Sequence, residues 1–105
     1  MYMSIKHPNI NEFNELIKNE KVLVDFFATW CGPCKMLAPV FDTLSEELTD
    51  ADFVKVDIDQ SLELAQKFGI TTVPTMMIFK DGKVVDTLVG FMPKDNLKAK
   101  VQAHL

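Results

Sequence analysis

No run of basic residues occurs in this chain: eleven lysines stand singly among fifteen aspartates and glutamates, for a net charge of -4. That balance excludes nucleic acid as an expected partner, because phosphate binding needs clustered positive charge. Long apolar runs are missing too. No segment approaches the roughly 20 apolar residues of a membrane span, and "MYMSIKHPNINEF" lacks the unbroken apolar stretch of a secretory leader. The expected setting is therefore cytoplasmic and reducing, with no membrane contact. Repeats, low-complexity tracts and linkers are absent, so one domain is expected over residues 1–105. With 48% hydrophobic residues, a chain of this length can bury a single core.

Cysteine is scarce, and what there is of it is concentrated. The only two, Cys31 and Cys34, lie within "FFATWCGPCK", separated by Gly32 and Pro33. In a reducing compartment such a pair is more often catalytic or metal-binding than a structural staple. A tetrahedral zinc site would need two further ligands, and the remaining candidates, His7 and His104, sit at opposite ends of the chain. No metal or other cofactor is expected. The other bland reading, two inert cysteines buried on a helix, fits poorly with the Trp30-Cys31-Gly32-Pro33-Cys34 context at a strand end.

Apolar periodicity supplies the layout. Ile10, Phe13, Leu16 and Ile17 share one helical face, with Asn9 and Glu12 spaced as a capping-box variant. "KVLVDFFA" is nearly continuous in apolar residues, as for a central strand covered on both sides, and Asp25 alone interrupts it. Leu37, Val40, Phe41, Leu44 and Leu48 then recur at helical spacing, which starts a long amphipathic helix near Cys31 to Cys34 with a bend at Pro39. "DFVKVDID" alternates as a strand, with Ile58 included, and "SLELAQKFG" reads as a short helix ended by Gly69. "TMMIFK" and "KVVDTLVG" flank Asp81-Gly82, a strong hairpin signal. A last helix starts near Pro93 and carries Leu97 and Val101 inward. Alternating helices and strands closed by a hairpin and a helix predict an α/β fold, a mixed sheet with helices on both faces in a three-layer sandwich. In such sheets the functional crevice lies at the carboxyl ends of the strands, where the cysteines fall.

A cysteine at the start of a helix meets unpaired N–H groups and the positive end of the helix dipole, and both favour its thiolate. Cys31 thereby becomes the nucleophile that attacks a partner's disulfide. Cys34, one turn further on, then attacks Cys31 and releases the reduced partner. Pro33 suits the first helical turn and stiffens the loop, which favours action as a reductant. Asp25 has two readings. It pairs with Lys55 on the neighbouring strand as a structural feature, or burial raises its pKa so that it takes the proton from Cys34; both can hold together. Pro74 in "TTVPT" is either an ordinary turn proline or a cis residue beside the cysteines that leaves the Val73 backbone free for an extended substrate. Trp30 reads as core when considered alone and as docking surface beside the nucleophile. Gly90 marks either a strand end or a close approach of substrate backbone.

"VDFFATWCGPCKMLAPVFDTL", together with "GITTVPTMMIFKDGK" and Val89-Gly90, closely resembles the thioredoxin family over essentially the whole chain. The resemblance implies a five-stranded sheet with four helices, a cis peptide before Pro74, reduction of protein disulfides, and thioredoxin reductase as the partner that restores the dithiol. It implies Cys31 as the attacking cysteine, Cys34 as the resolving one, and Asp25 and Lys55 as the buried acid and its lysine neighbour. Trp30, Gly32, Pro33, Val73, Pro74 and Gly90 match the rim that faces disulfide-containing target proteins. A monomer is expected. Phe27 stands where many bacterial members have a second tryptophan, and Thr72 occupies a rim position that is glycine or serine in others, which bears on substrate preference. Two other functions share the fold: an oxidase or isomerase, against which Gly-Pro between the cysteines argues, and a binding subunit that does not use its thiols.

Overall fold

The computed structural model describes residues 5–104, so the outermost ends of the expected domain, residues 1–4 and 105, lie outside the described residues. In chain order the elements are β1 (Ile5–Lys6), α1 (Ile10–Leu16), β2 (Lys21–Phe27), α2 (Gly32–Glu47), β3 (Asp52–Asp57), α3 (Leu62–Lys67), β4 (Thr75–Lys80), β5 (Lys83–Val89) and α4 (Lys94–Gln102). The strands form one sheet in the order β1-β3-β2-β4-β5. Strand β2 is central, parallel to β3 and antiparallel to β4, while β1 pairs parallel with β3 and β5 antiparallel with β4. This is the expected mixed sheet.

The near-continuous apolar run of β2 follows from its position. Side chains alternate between faces along a strand, and a strand buried on both faces has no solvent side to make polar. Leu23 joins Phe53, Met76 and Ile78 in a core completed by Leu37, Phe41 and Leu44 of α2 and Leu97 and Val101 of α4. On the other face Val22, Val24 and Phe26 join Val54, Val56, Met77 and Phe79 under Phe13 of α1 and Leu64 of α3. Two cores on opposite sides of one sheet make the three-layer sandwich. Truncating any of these large buried side chains to alanine removes about 2–5 kcal/mol, a sizeable part of a small domain's stability.

Local signals account for the boundaries. The Asn9 side chain accepts from the Glu12 N–H and the Glu12 carboxylate accepts from the Asn9 N–H, each at 2.9 Å, which closes the capping box of α1. Asp81 and Gly82 have φ of 51° and 85°, the left-handed pair that a two-residue hairpin turn requires. Two boundaries differ from the sequence reading, and one strand was not read from it. Pro93 is the cap rather than the first helical residue of α4, its carbonyl accepting from the Leu97 N–H at 3.0 Å. Ile58 falls outside β3, and its N–H bonds instead to the Phe27 carbonyl at 2.9 Å. Strand β1 has no counterpart in the periodicity, because two residues carry no period. Among the described residues, no helix is long and apolar enough to cross a membrane.

Candidate active site

At the carboxyl end of the central strand the chain turns, with the Cys31 N–H donating to the Ala28 carbonyl at 3.2 Å, and enters the sixteen-residue helix α2. Cys31 is the N-cap of that helix. Its Sγ accepts a hydrogen bond from the Cys34 N–H at 3.2 Å, so sulfur occupies the place that a serine or aspartate oxygen fills in most capped helices. The cap needs an acceptor there, and a thiolate is a better acceptor than a thiol. Cys31 and Cys34 form a disulfide, their Cα atoms 5.2 Å apart, and no cysteine is left free. Pro33 lies in the first helical turn, where an N–H would have no intrahelical partner.

Both cysteines are 5% exposed in this disulfide form, so burial alone does not distinguish them. Position does. Cys31 holds the cap, with its Sγ 3.5 Å from the Val73 carbonyl oxygen, whereas Cys34 sits inside the first turn and heads the buried stripe continued by Leu37 and Phe41. That stripe packs on the sheet face that carries Leu23 and Met76. By strand alternation Asp25 points to the same face as Leu23, so the carboxyl and Cys34 share one side of the sheet.

Asp25 is 1% exposed, and its Oδ1 has no hydrogen-bond partner among the described residues. Burial pushes its pKa up to about 7 against the lowering field of Lys55, with the Asp42 carboxylate pushing in the same direction as burial. Asp25 and Lys55 are register partners on β2 and β3, but the ion pair considered from the sequence is not made among the described residues. The lysine instead sets its ammonium 4.7 Å from the centre of the Phe27 ring, on the same strand as Asp25, a cation–π contact. Lys55 therefore acts on Asp25 through its field and not through a bond.

The remaining candidates line the sheet's same end. The Val73–Pro74 peptide bond is cis. The Gly90 N–H donates to the Pro74 carbonyl at 2.8 Å and the Thr75 hydroxyl to the Thr72 carbonyl at 2.6 Å, which ties the loop before β4 to the end of β5. The Val73 N–H has no partner among the described residues, while its carbonyl faces Cys31. Gly90 has φ of 91°, which favours glycine, and a Cβ built there would meet nothing within 4 Å. The same holds for the space over Gly32, so the rim is open on both sides of the disulfide.

Trp30 stands beside Cys31 with 67% of its surface exposed, a large apolar group kept in water. Its indole N–H donates to the Asp59 carboxylate at 2.8 Å, and the Asp59 N–H in turn donates to the Asp57 carboxylate at 2.9 Å. Asp59 was not among the candidates read from the sequence; a carboxylate 29 positions away carries no local signal that it holds an indole. Asp42, which bears on Asp25, was missed for the same reason. Among the described residues, no group of three or more metal-ligating side chains converges.

The thioredoxin family model matches residues 4–103 of the chain. A thioredoxin of Mycoplasmoides gallisepticum is 46% identical over 96 residues, covering 90% of this chain and 96% of that protein. One from Bacillus subtilis is 44% identical over 104 residues, covering 98% and 100%. The solved structure of a thioredoxin from Nicotiana alata superposes with a TM-score of 0.88 at 41% identity, over 96% of this chain and 92% of that one. Proteins of this kind act on disulfide-bearing targets, usually with thioredoxin reductase. A helix-capping cysteine joined to a second one turn away, on this sheet and with these relatives, makes the chain a thiol-disulfide oxidoreductase that reduces protein disulfides, and it belongs to the thioredoxin family.

Proposed function

We propose that Cys31 is the attacking residue and Cys34 the resolving one in a general protein-disulfide reductase working as a monomer in the cytoplasm, recharged by thioredoxin reductase. The Cys31 thiolate attacks one sulfur of a target disulfide; a mixed disulfide forms and the target's other sulfur leaves as a thiolate. Asp25 then takes the proton of the Cys34 thiol. The Cys34 thiolate attacks Cys31 Sγ, the mixed disulfide breaks, and the target leaves with two electrons gained while the chain holds the Cys31–Cys34 disulfide. The reductase supplies those two electrons again.

The observation that carries this reading is the hydrogen bond from the Cys34 N–H to Cys31 Sγ at a helix cap, because it favours negative charge on that one sulfur. Trp30, Gly32, Pro33, Val73, Pro74 and Gly90 form the face that receives the target. The unpartnered Val73 N–H supports backbone pairing with an extended segment beside Cys31. Lys55 tunes Asp25 as a positioning charge. One sheet carrying two cores, and a family match over nearly all of the chain, support a single domain over residues 1–105.

Insulin reduction with Cys31→Ser and Cys34→Ser variants tests the assignment. Cys31→Ser is expected to abolish reduction without forming an adduct, and Cys34→Ser to accumulate a mixed disulfide visible by mass. An adduct on Cys34 in the Cys31→Ser protein at the wild-type rate would reverse the two roles. Supplying thioredoxin reductase and NADPH in place of dithiothreitol tests the recharging partner.

A further inference from the structure

Among the described methionines, Met76 and Met77 are buried and Met92 is half-buried, packed against the core, whereas Met36 is 59% exposed. Its position on α2 is what makes the exposure matter. Met36 lies four residues after Gly32 and three after Pro33, so it shares their helical face, one turn from the Cys31 cap. Side chains on a helix lean toward its amino end and cover the preceding turn. For Met36 that turn is Gly32-Pro33, residues of the proposed rim. Met36 thus adds an exposed apolar side chain to the helical face that Gly32 and Pro33 of the proposed rim occupy.

We infer that Met36 is a site of oxidation by hydroperoxides, and that its sulfoxide weakens docking of protein disulfides on the face beside Cys31. In the step itself the peroxide O–O bond breaks. One oxygen bonds to Met36 Sδ and the other leaves as water or alcohol, so the sulfur loses two electrons and the peroxide gains them. A flexible apolar side chain becomes a polar one at the docking face, while the cysteine chemistry is untouched. The disulfide form is the state in which this happens cleanly, because Cys31 and Cys34 are then joined to each other and offer no thiolate to the oxidant. The docking half of the inference rests on the proposed target-facing rim; the oxidation half rests on exposure alone.

The experiment treats the oxidised protein with hydrogen peroxide, maps the added oxygen by peptide mass spectrometry, then reduces the disulfide and measures steady-state reduction of insulin and of a small aromatic disulfide. Oxygen is expected on Met36 ahead of Met76, Met77 and Met92. KM for insulin is expected to rise by about threefold to tenfold, the scale of a change in one apolar contact, with the rate on the small disulfide retained. Met36→Leu protein, which keeps every other methionine, is expected to show no change in its own insulin KM after peroxide. The inference is overturned if another described methionine oxidises first, or if insulin KM is unmoved with Met36 fully oxidised. It is also overturned if Met36→Leu responds as wild type does, or if both substrates slow equally. Untreated protein that fails to reduce insulin at all would instead sink the proposed rim and reductase roles, and the peptide map would still stand.

Discussion

Asp25 and Lys55 stand opposite each other in register on β2 and β3, yet the lysine ammonium rests over the Phe27 ring and one carboxyl oxygen of Asp25 has no hydrogen-bond partner among the described residues. A buried carboxyl without a direct cation is costly to ionise, and here burial outweighs the field of Lys55. The result is an acid poised near neutrality on the side of the sheet that Cys34 occupies.

Replacing that acid separates the two chemical steps. Asp25→Asn is expected to slow release of the mixed disulfide by about tenfold to a hundredfold at pH 7, with the first attack by Cys31 much less affected. Rapid-mixing kinetics of each step against pH decides it. Equal rates for the variant and wild type at every pH would leave Asp25 with a structural role only.

Stability carries the same signature with a definite sign. Asp25 ionises near 3.8 in its ordinary state and near 7 when folded, so between those values the native chain holds a proton that the unfolded chain has lost. Native stability therefore falls as pH rises through that window. Asp25→Asn is expected to be more stable than wild type by about 4 kcal/mol at most above pH 7, with the gain gone below pH 3.8. Denaturant midpoints at three pH values are the measurement, and a gain that does not change with pH contradicts the account.

Asp59 holds Trp30 by a single hydrogen bond, and Trp30 is the chain's only tryptophan. Asp59→Ala is expected to leave the fold intact and the rate on small disulfides unchanged. Insulin KM is expected to rise by about threefold, since the indole has then to be ordered at each encounter. Time-resolved fluorescence anisotropy of the indole reports the freedom gained. An immobile ring in the variant would mean that packing, not Asp59, sets its orientation.

At the opposite extreme of specificity lies the start of α1. Asn9→Ala removes the side-chain acceptor of the Glu12 N–H while leaving the Asn9 N–H to the Glu12 carboxylate, and is expected to lower stability by about 1 kcal/mol without touching activity. Chemical denaturation with a parallel insulin assay checks both halves of that statement.

How far the chain could be read in advance depended on how local each signal was. Asn9 and Glu12 sit within one turn, the Asp81-Gly82 pair makes its own corner, and the β2 run states its double burial outright, so those elements were legible from residues alone. The cysteines, Trp30 and Pro74 were legible because their neighbours in sequence name their context. What was not legible needs distance in the chain. The Trp30–Asp59 bond spans 29 positions, and Lys55's preference for the Phe27 face over its register partner depends on where a four-carbon stem runs in three dimensions. Strand β1 escaped because two residues can announce neither alternation nor a turn.

Strand order has a final consequence for biosynthesis. The cysteine pair emerges from the ribosome with the first third of the chain, but Val73 and Pro74 come some forty residues later and Gly90 later still. Because β4 pairs antiparallel with β2, bringing Thr75 against Phe26, and Val89 then pairs with Thr75, the proposed receiving face closes only when the last strand docks. A nascent polypeptide stalled before residue 75 thus carries the cysteine pair without β4 and β5, the strands that hold Val73, Pro74 and Gly90 in place. The proposed receiving face is thus the last part of the sheet to be assembled.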